Sequence, residues 1–324
     1  MKNRIIAYIL LLLPIIAAAQ DGKNAFTILR IPYSSRTAAL GGENISVAED
    51  DITLAIHNPA LLANVADKTI NLTFMTYMSD SKVAGAMFNK TFGARSTGAV
   101  GVRYIDYGKF EGYTEDNIYT GTFSAKDIEL SLMYSYLLGE RWSGGVTGKF
   151  IYSKYESMSA ITLGVDLGVN YYNQESDFSM SFALKNLGGQ VMAFEEKHET
   201  MPFDIQAGFT KRLAHAPILI SATLTDLHRW NKEQFYNADG SKDNFGELLL
   251  KHIVFGADFL IGKSVNVSLG YNYRISKELS TGGNRLDGIT AGAGLHINKV
   301  KFGVSYSKLH VSSFSLLFNL SYSL

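Results

Sequence analysis

The 324-residue chain has no cysteine, five prolines and two tryptophans. Without cysteine there is no disulfide framework, no thiolate metal site and no cysteine nucleophile. Neither sign of charge is in excess: 30 Lys+Arg stand against 30 Asp+Glu, so the basic footprint of a nucleic-acid binder is missing. Charged residues make up 19% of the chain, thinner than the roughly 25% of ordinary soluble domains. At 46% hydrophobic the chain is nonetheless too apolar for disorder. After position 19 no run of apolar residues exceeds four, which excludes spanning helices of about 20 apolar residues. The chain is rich in glycine (30), tyrosine (18) and phenylalanine (19), a mix that favours sheet over helix bundles. Mean hydropathy is only +0.03, so apolar and polar residues must be finely interleaved.

The first residues read as an address. Lys2 and Arg4 form a positive start, Ile5 to Ile16 is apolar, and Ala17-Ala18-Ala19 supplies small residues at a cleavage site. The apolar stretch Ile5 to Ala19 is 15 residues, short of the roughly 20 a spanning helix needs. The pattern predicts a secretory signal over 1–19, cleaved near Ala19. Its removal takes two basic and no acidic residues, leaving 28 − 30 = −2.

From Thr69 the chain alternates with period two. Ile161, Leu163, Val165, Leu167, Val169 and Tyr171 alternate with Thr162, Gly164, Asp166, Gly168 and Asn170, and Val265 to Ile275 repeats the pattern. Period two places one apolar and one polar face on a β-strand. About fourteen such segments occur over 69–324, most of ten residues or more, against a usual five or six. Roughly ten tilted residues is the length that crosses a membrane. A soluble sandwich and a membrane barrel both use such strands, and the polar face separates them. It carries Gly144 or Gly145, Gly148, Gly164, Gly168, Gly270, Gly292 and Gly294 rather than Lys and Glu, which suits a crowded interior. The long connections, 108–125, 189–202, 229–247 and 277–286, all follow odd-numbered strands, the asymmetry of short inner turns and long outer loops. The reading is all-β: a 14-stranded antiparallel transmembrane β-barrel over 69–324, placed in a bacterial outer membrane, with a short N-terminal hatch or plug containing small helices over 20–68.

In the hatch segment, Asn58-Pro59-Ala60 is a helix-start signal, with Asn58 as cap and Pro59 at the first helical position. Thr37-Ala38-Ala39-Leu40-Gly41-Gly42, the acidic Glu49-Asp50-Asp51, and His57-Asn58-Pro59-Ala60-Leu61-Leu62-Ala63 together resemble the N-terminal hatch signature of the fatty-acid-transporter (FadL-like) barrels. The leader ending in Ala-Gln and the compact length are similar to its Bacteroidetes relatives, the PorV/PorQ branch of the type IX secretion system, the length favouring the PorQ side. The resemblance implies a non-enzymatic barrel that docks a PorZ-like surface partner of the attachment complex, alongside PorU and PorV, through its outer loops. The alternatives it carries are a FadL-like channel or carrier for hydrophobic ligands and a PorV-like cargo shuttle. Gly41, Gly42, Asn58, Pro59 and Ala60 are its hatch-motif residues.

The candidate partner-binding residues are loop aromatics: Trp230, Phe235, Tyr236 and Phe245 in 229–247, with Phe110 and Tyr113 in 108–125. Exposed aromatics are enriched at protein contacts; the same rings are equally able to tuck over the barrel mouth. The remaining partners expected are outer-membrane lipid and, as a further candidate, lipopolysaccharide; no nucleic acid is expected. No cofactor, metal or catalytic residue is expected either. The chain lacks a Gly-x-Ser-x-Gly elbow. Ser79 to Lys82 and Ser305 to Lys308 match Ser-x-x-Lys only loosely, and Gly256 to Ser264 has the wrong spacing and no following helix for a phosphate loop. The histidines are scattered. Asp166 and Asp258 fall on strands, where a lumenal carboxylate pairs with a base such as Lys149 or Arg274.

Overall fold

The computed structural model describes residues 26–324 except 79–80, 115, 195–197, 233–234, 236, 239, 263, 280–286 and 311–312. The leader predicted over 1–19 and the first residues of the predicted hatch lie outside the described residues.

Fourteen strands form one closed antiparallel barrel in which each pairs with its sequence neighbours and β1 pairs with β14. They are β1 (Thr69–Thr76), β2 (Lys82–Phe92), β3 (Ser96–Tyr113), β4 (Tyr119–Leu137), β5 (Trp142–Tyr155), β6 (Met158–Asn173), β7 (Phe178–Met192), β8 (Asp204–Arg212), β9 (Ile218–Leu224), β10 (Ile253–Ile261), β11 (Val265–Asn272), β12 (Ile289–Ile297), β13 (Val300–His310) and β14 (Ser313–Ser323). Closure runs from Thr69 opposite Ser323 to Thr76 opposite Leu316, which leaves the wall without an edge.

Burial is inverted relative to a water-soluble fold. On β6, Leu163, Val165, Leu167 and Val169 are 49, 39, 41 and 37% exposed, while Thr162, Asp166 and Asn170 are 2, 0 and 1% exposed. Each strand thus turns its apolar half outward and its polar half to the lumen. A continuous apolar exterior of this kind is unfavourable in water and suited to lipid.

Three stretches depart from the alternation reading. Residues 108–125 do not form a loop: β3 and β4 continue as a hairpin from Lys109 opposite Ser124 to Tyr113 opposite Tyr119, after a register shift past Asp106. The alternating pattern of the eleventh strand stops at Asn272. Tyr273–Leu279 is helical because Asn272 Oδ1 accepts the Ile275 N–H at 3.2 Å and Arg274 pairs with Glu278 one turn on, at 2.8 Å. Leu248 to Lys251 belongs to a helix, Phe245–Lys251, closed by a reciprocal capping box between Asn244 and Glu247.

Phe26 to Lys68 fills the lumen. Helices α1 (Thr27–Arg30) and α2 (Ser35–Ala39) are followed by two 3-10 turns, η1 (Ile52–Ile56) and η2 (Pro59–Asn64). Ile28, Tyr33, Leu40, Ile45, Ile52, Leu54, Leu61 and Leu62 are at most 1% exposed, so the apolar core of the molecule lies inside the barrel and is contributed largely by the hatch. The segment starts near the long-loop end, where Ile28 and Ile31 pack with Met75, Val83 and Ile105, and descends to the short-turn end, where Lys301 pairs with Asp50.

Candidate functional site

The wall accepts the hatch at a few points of close backbone approach. Asn58 caps η2, accepting the Ala60 N–H at 3.0 Å, and donates to the Ile45 carbonyl at 3.0 Å. The Ala60 carbonyl accepts hydroxyls of Ser143 on β5 at 2.9 Å and Ser135 on β4 at 3.3 Å. Pro59 and Asn58 lie directly over Gly145 and Gly168: a Cβ on either glycine would fall 2.4 Å from the Pro59 carbonyl carbon or 1.9 Å from Asn58 Oδ1. At the other contact, Gly41 and Gly42 take φ of +97° and +90°, a left-handed exit from α2 that glycine adopts at little cost. The Gly41 N–H donates to Thr290 Oγ1 at 2.9 Å, and Asn272 Nδ2 donates to the Gly41 carbonyl at 3.2 Å. The hatch-motif residues therefore key the plug into β4–β6 on one side and β11–β12 on the other.

Ion pairs line the lumen, some joining the hatch to the wall and some joining neighbouring strands. Arg36 bonds Asp258 on β10 at 3.0 Å and Glu49 at 3.0 Å. Burial disfavours its charge, but Glu49 and Asp258 more than offset that and hold the guanidinium above its ordinary range. Lys149 pairs with Asp166 at 2.6 Å and also donates to Asn186 Oδ1 at 2.9 Å; Arg103 pairs with Glu129; Lys185 reaches Glu43 at 3.5 Å. Asp166 thus takes the base expected on an adjoining strand, whereas Asp258 does not take Arg274. Arg274 binds Asp226 at 2.5 Å and Glu278.

His57, at the end of η1, is 5% exposed, and neither ring nitrogen has a hydrogen-bond partner among the described residues. Burial, with Lys185, Arg103 and Lys149 nearby, lowers its pKa well below the ordinary histidine value, so the ring is neutral. Tyr33 in the hatch is pushed up to about 12 by burial.

The plug leaves two cavities. One of about 740 Å³ opens at the short-turn end and is lined by Arg36, Glu49, Asp50, Arg212, Asn266 and Lys301 among others. The second, about 220 Å³, lies at the long-loop end between Arg30, Glu43, Lys185, Asp204, Asp226 and Arg274. The Ala39 to Gly42 turn stands between them. Charged side chains gather in the smaller cavity, while the larger mixes a few of them with apolar and small polar residues. Asp204, Asp226 and His228 bring three ligand atoms within 4.8 Å of one another, a cluster the scattered histidine positions did not suggest. Its carboxylates are already engaged: Asp204 accepts from Gln206 Nε2 at 2.6 Å and the Asp226 N–H at 2.6 Å, and Asp226 holds Arg274 and Arg229.

The loop aromatics divide. Phe235 is only 8% exposed. His252 meets its ring edge-on at 5.2 Å and the Arg274 guanidinium lies 5.1 Å above it, so it is packing within the outer loops rather than a surface. Trp230 is 45% exposed, its ring tilted by 34° against His252 at 4.4 Å and its Nε1 donating to the Leu227 carbonyl. Phe245, Phe110 and Tyr113 are exposed. Tyr236 lies outside the described residues, as does Lys263 of the phosphate-loop-like stretch, and Ser79 and Asp80. Tyr119, a further aromatic of 108–125 in the sequence, meets Tyr113 at 5.7 Å; the sequence reading missed Phe123, which stacks against Phe110 at 5.5 Å, and its spacing from the hairpin tip, matching that of Phe110, was the available signal.

No family model and no curated protein matches the chain. Among solved structures the fold is similar to the Ralstonia pickettii toluene transporter TbuX (TM-score 0.55, 11% identity, covering 91% of this chain and 98% of that one). It is also similar to a TodX monoaromatic hydrocarbon channel mutant (TM-score 0.59, 11% identity, 90% and 99%) and to a Pseudomonas aeruginosa FadL homologue (TM-score 0.52, 11% identity, 90% and 98%). At this identity the likeness establishes the fold: a closed 14-strand antiparallel barrel of FadL-like architecture.

Proposed function

We propose that the chain is a non-enzymatic outer-membrane barrel whose plugged lumen serves as a scaffold and whose long-loop end docks a partner protein. One observation carries this reading. The β3–β4 hairpin rises beyond the apolar belt and exposes Phe110, Tyr113, Ile118 and Tyr119 at 43, 52, 63 and 55%. Large rings that are exposed outside lipid, on a paired β-ribbon, are the residues that anchor protein contacts. Phe245, 68% exposed, adds to the same end. The attachment complex of the type IX system, with a PorZ-like partner beside PorU and PorV, is the assembly that the hatch resemblance suggests. Replacing Phe110, Tyr113, Tyr119 and Phe245 with serine is expected to reduce co-purification of surface proteins with the tagged barrel at least tenfold, with barrel folding unchanged on a heat-modifiable gel. Undiminished recovery sinks the docking role of these residues.

The fold neighbours favour a second reading, passage of a small molecule as in a FadL-like channel or carrier, since TbuX is a toluene transporter and TodX a monoaromatic hydrocarbon channel. The two cavities facing each other across the Ala39 to Gly42 turn support it. The charged side chains of the smaller cavity suit a polar solute better than a hydrocarbon. Swelling of liposomes that hold the purified barrel, measured with sugars, amino acids and toluene in turn, tests it; no flux above protein-free liposomes for any of them removes it.

A further inference from the structure

Charge pairing in the smaller cavity is complete except at two side chains. Lys185 reaches Glu43 at 3.5 Å, Arg229 and Arg274 hold Asp226, and Arg274 also holds Glu278. That leaves Arg30 of the hatch and Asp204 at the start of β8, both in the lining. The Arg30 guanidinium has no hydrogen-bond or ion-pair partner among the described residues. Asp204 accepts from the neutral Gln206 amide and from the Asp226 N–H, both at 2.6 Å. No base pairs with it among the described residues.

Each of the two faces charge of its own sign. Asp204 and Asp226 belong to one group whose ligand atoms lie within 4.8 Å of one another. The Gln206 Nε2 that donates to Asp204 is also 3.3 Å from Glu43 Oε2. Arg30, in turn, feels Arg274 more strongly than any other charge. A carboxylate among carboxylates is stabilised by an ammonium, and a guanidinium beside a guanidinium by a carboxylate. One small molecule that carries both groups satisfies both ends.

We propose that this cavity is a binding site for a small zwitterion, a free amino acid or a short peptide, with its ammonium on Asp204 and its carboxylate on Arg30. The guanidinium offers a carboxylate two parallel N–H donors, and the Asp204 oxygens keep lone pairs for an ammonium. At about 220 Å³ the cavity is smaller than the roughly 300–1,000 Å³ of drug-sized ligand pockets, as a ligand of this class requires. It lies at the long-loop end, so the ligand enters from the outer side. A divalent cation suits the Asp204, Asp226 and His228 group less well, because Arg274 and Arg229 already sit on Asp226. A singly charged ammonium meets half of that repulsion. The inference rests on the small-molecule reading above and names its solute class.

Titration calorimetry of the full-length barrel in detergent tests the site, with L-alanine and L-alanyl-L-alanine as probes. Alaninamide keeps only the ammonium, and propionate only the carboxylate. Saturable binding of alanine or its dipeptide is expected, and the tighter of the two assigns the free amino acid or the peptide. Both single-charge analogues should bind roughly tenfold or more weakly, and so should the probes to Arg30→Gln and Asp204→Asn. Arg30 has no polar partner to lose. In Asp204→Asn the Gln206 Oε1, which has no partner among the described residues, can accept from the introduced amide, so both variants should keep the heat-modifiable gel shift. The analogues test the site on the unaltered protein in any case. Propionate or alaninamide binding as tightly as alanine and its dipeptide overturns the zwitterion. So does calcium binding that Asp204→Asn abolishes, with no response to alanine or its dipeptide. Liposome flux of sugars or toluene, without charge-dependent binding of either probe, overturns the site and leaves passage standing. Charge-dependent binding with no flux of any solute upholds the site and removes passage.

Discussion

Arg36 of the hatch and Asp258 of the wall, 222 residues apart, are joined by two hydrogen bonds to one carboxylate oxygen, from Nε at 3.1 Å and from Nη2 at 3.0 Å. The Asp258 side chain is fully buried. Breaking a buried pair from one side costs about 3–5 kcal/mol, because the remaining charge is stranded. Arg36→Ala is therefore expected to destabilise the folded protein by about that much, and Asp258→Ala added to it is expected to restore a good part. A double-mutant cycle by denaturant unfolding in detergent measures the coupling. Strictly additive effects would show that the pair does not hold the plug.

Glycine in the wall decides whether the plug fits. Gly145 and Gly148 are three residues apart on β5 and so lie on opposite faces, Gly148 turning outward with Val146 and Phe150 rather than to the lumen face that the alternation reading gave it: a Cβ on Gly145 meets backbone atoms of Pro59 and Ala60 at 2.4–2.6 Å, and a Cβ on Gly148 meets nothing within 4 Å. Gly145→Val should unseat η2, opening the hatch to limited proteolysis, while Gly148→Val should fold and resist protease like the parent. Equal resistance in both variants would remove the close approach as the keying contact.

The barrel was legible because its period is local. Leu163 and Asp166 announce their faces without reference to any other strand, and Lys149 opposite the same face of β6 could be named as a partner for Asp166. The Asn58-Pro59-Ala60 start was legible as a cap for the same reason, since its hydrogen bonds close within two residues. The Arg36–Asp258 pair was not, because it depends on where the hatch chain lies against a strand 222 residues away. Nor was the extension of β3 and β4, since Gly108, Gly112 and Gly121 punctuate it like a loop while the ladder continues through them. The burial of Phe235 follows from His252 and Arg274, two residues brought to it by separate loops.

His57 makes stability depend on pH. Its folded pKa is lowered, so the unfolded chain binds the proton first as pH falls. The contribution of the neutral ring is complete above the unfolded value of about 6.5 and is lost below it, at about 1.4 kcal/mol per pH unit. Relative to His57→Gln, which does not titrate, the parent should lose about 1 kcal/mol of stability between pH 7.5 and pH 5.5. Parallel pH profiles of unfolding midpoint for the two proteins would show that the ring is not confined beside Lys149, Lys185 and Arg103.

Phe235 and Phe245 flank the same long connection and should respond oppositely. Phe235 is enclosed by His252, Arg274 and Lys251, and truncation of a buried phenylalanine costs about 3–5 kcal/mol. The loss falls on the outer loops, since the barrel ladder does not pass through Phe235. Phe235→Ala should raise amide exchange across residues 226–232 and 245–252 while leaving the strands protected. Phe245 at 68% exposure loses little packing, so Phe245→Ala should change stability by less than about 0.5 kcal/mol and leave that exchange unaltered. If Phe245→Ala loosens the loops as much as Phe235→Ala does, its ring belongs to the packing of the outer end, and the docking surface contracts to the β3–β4 hairpin.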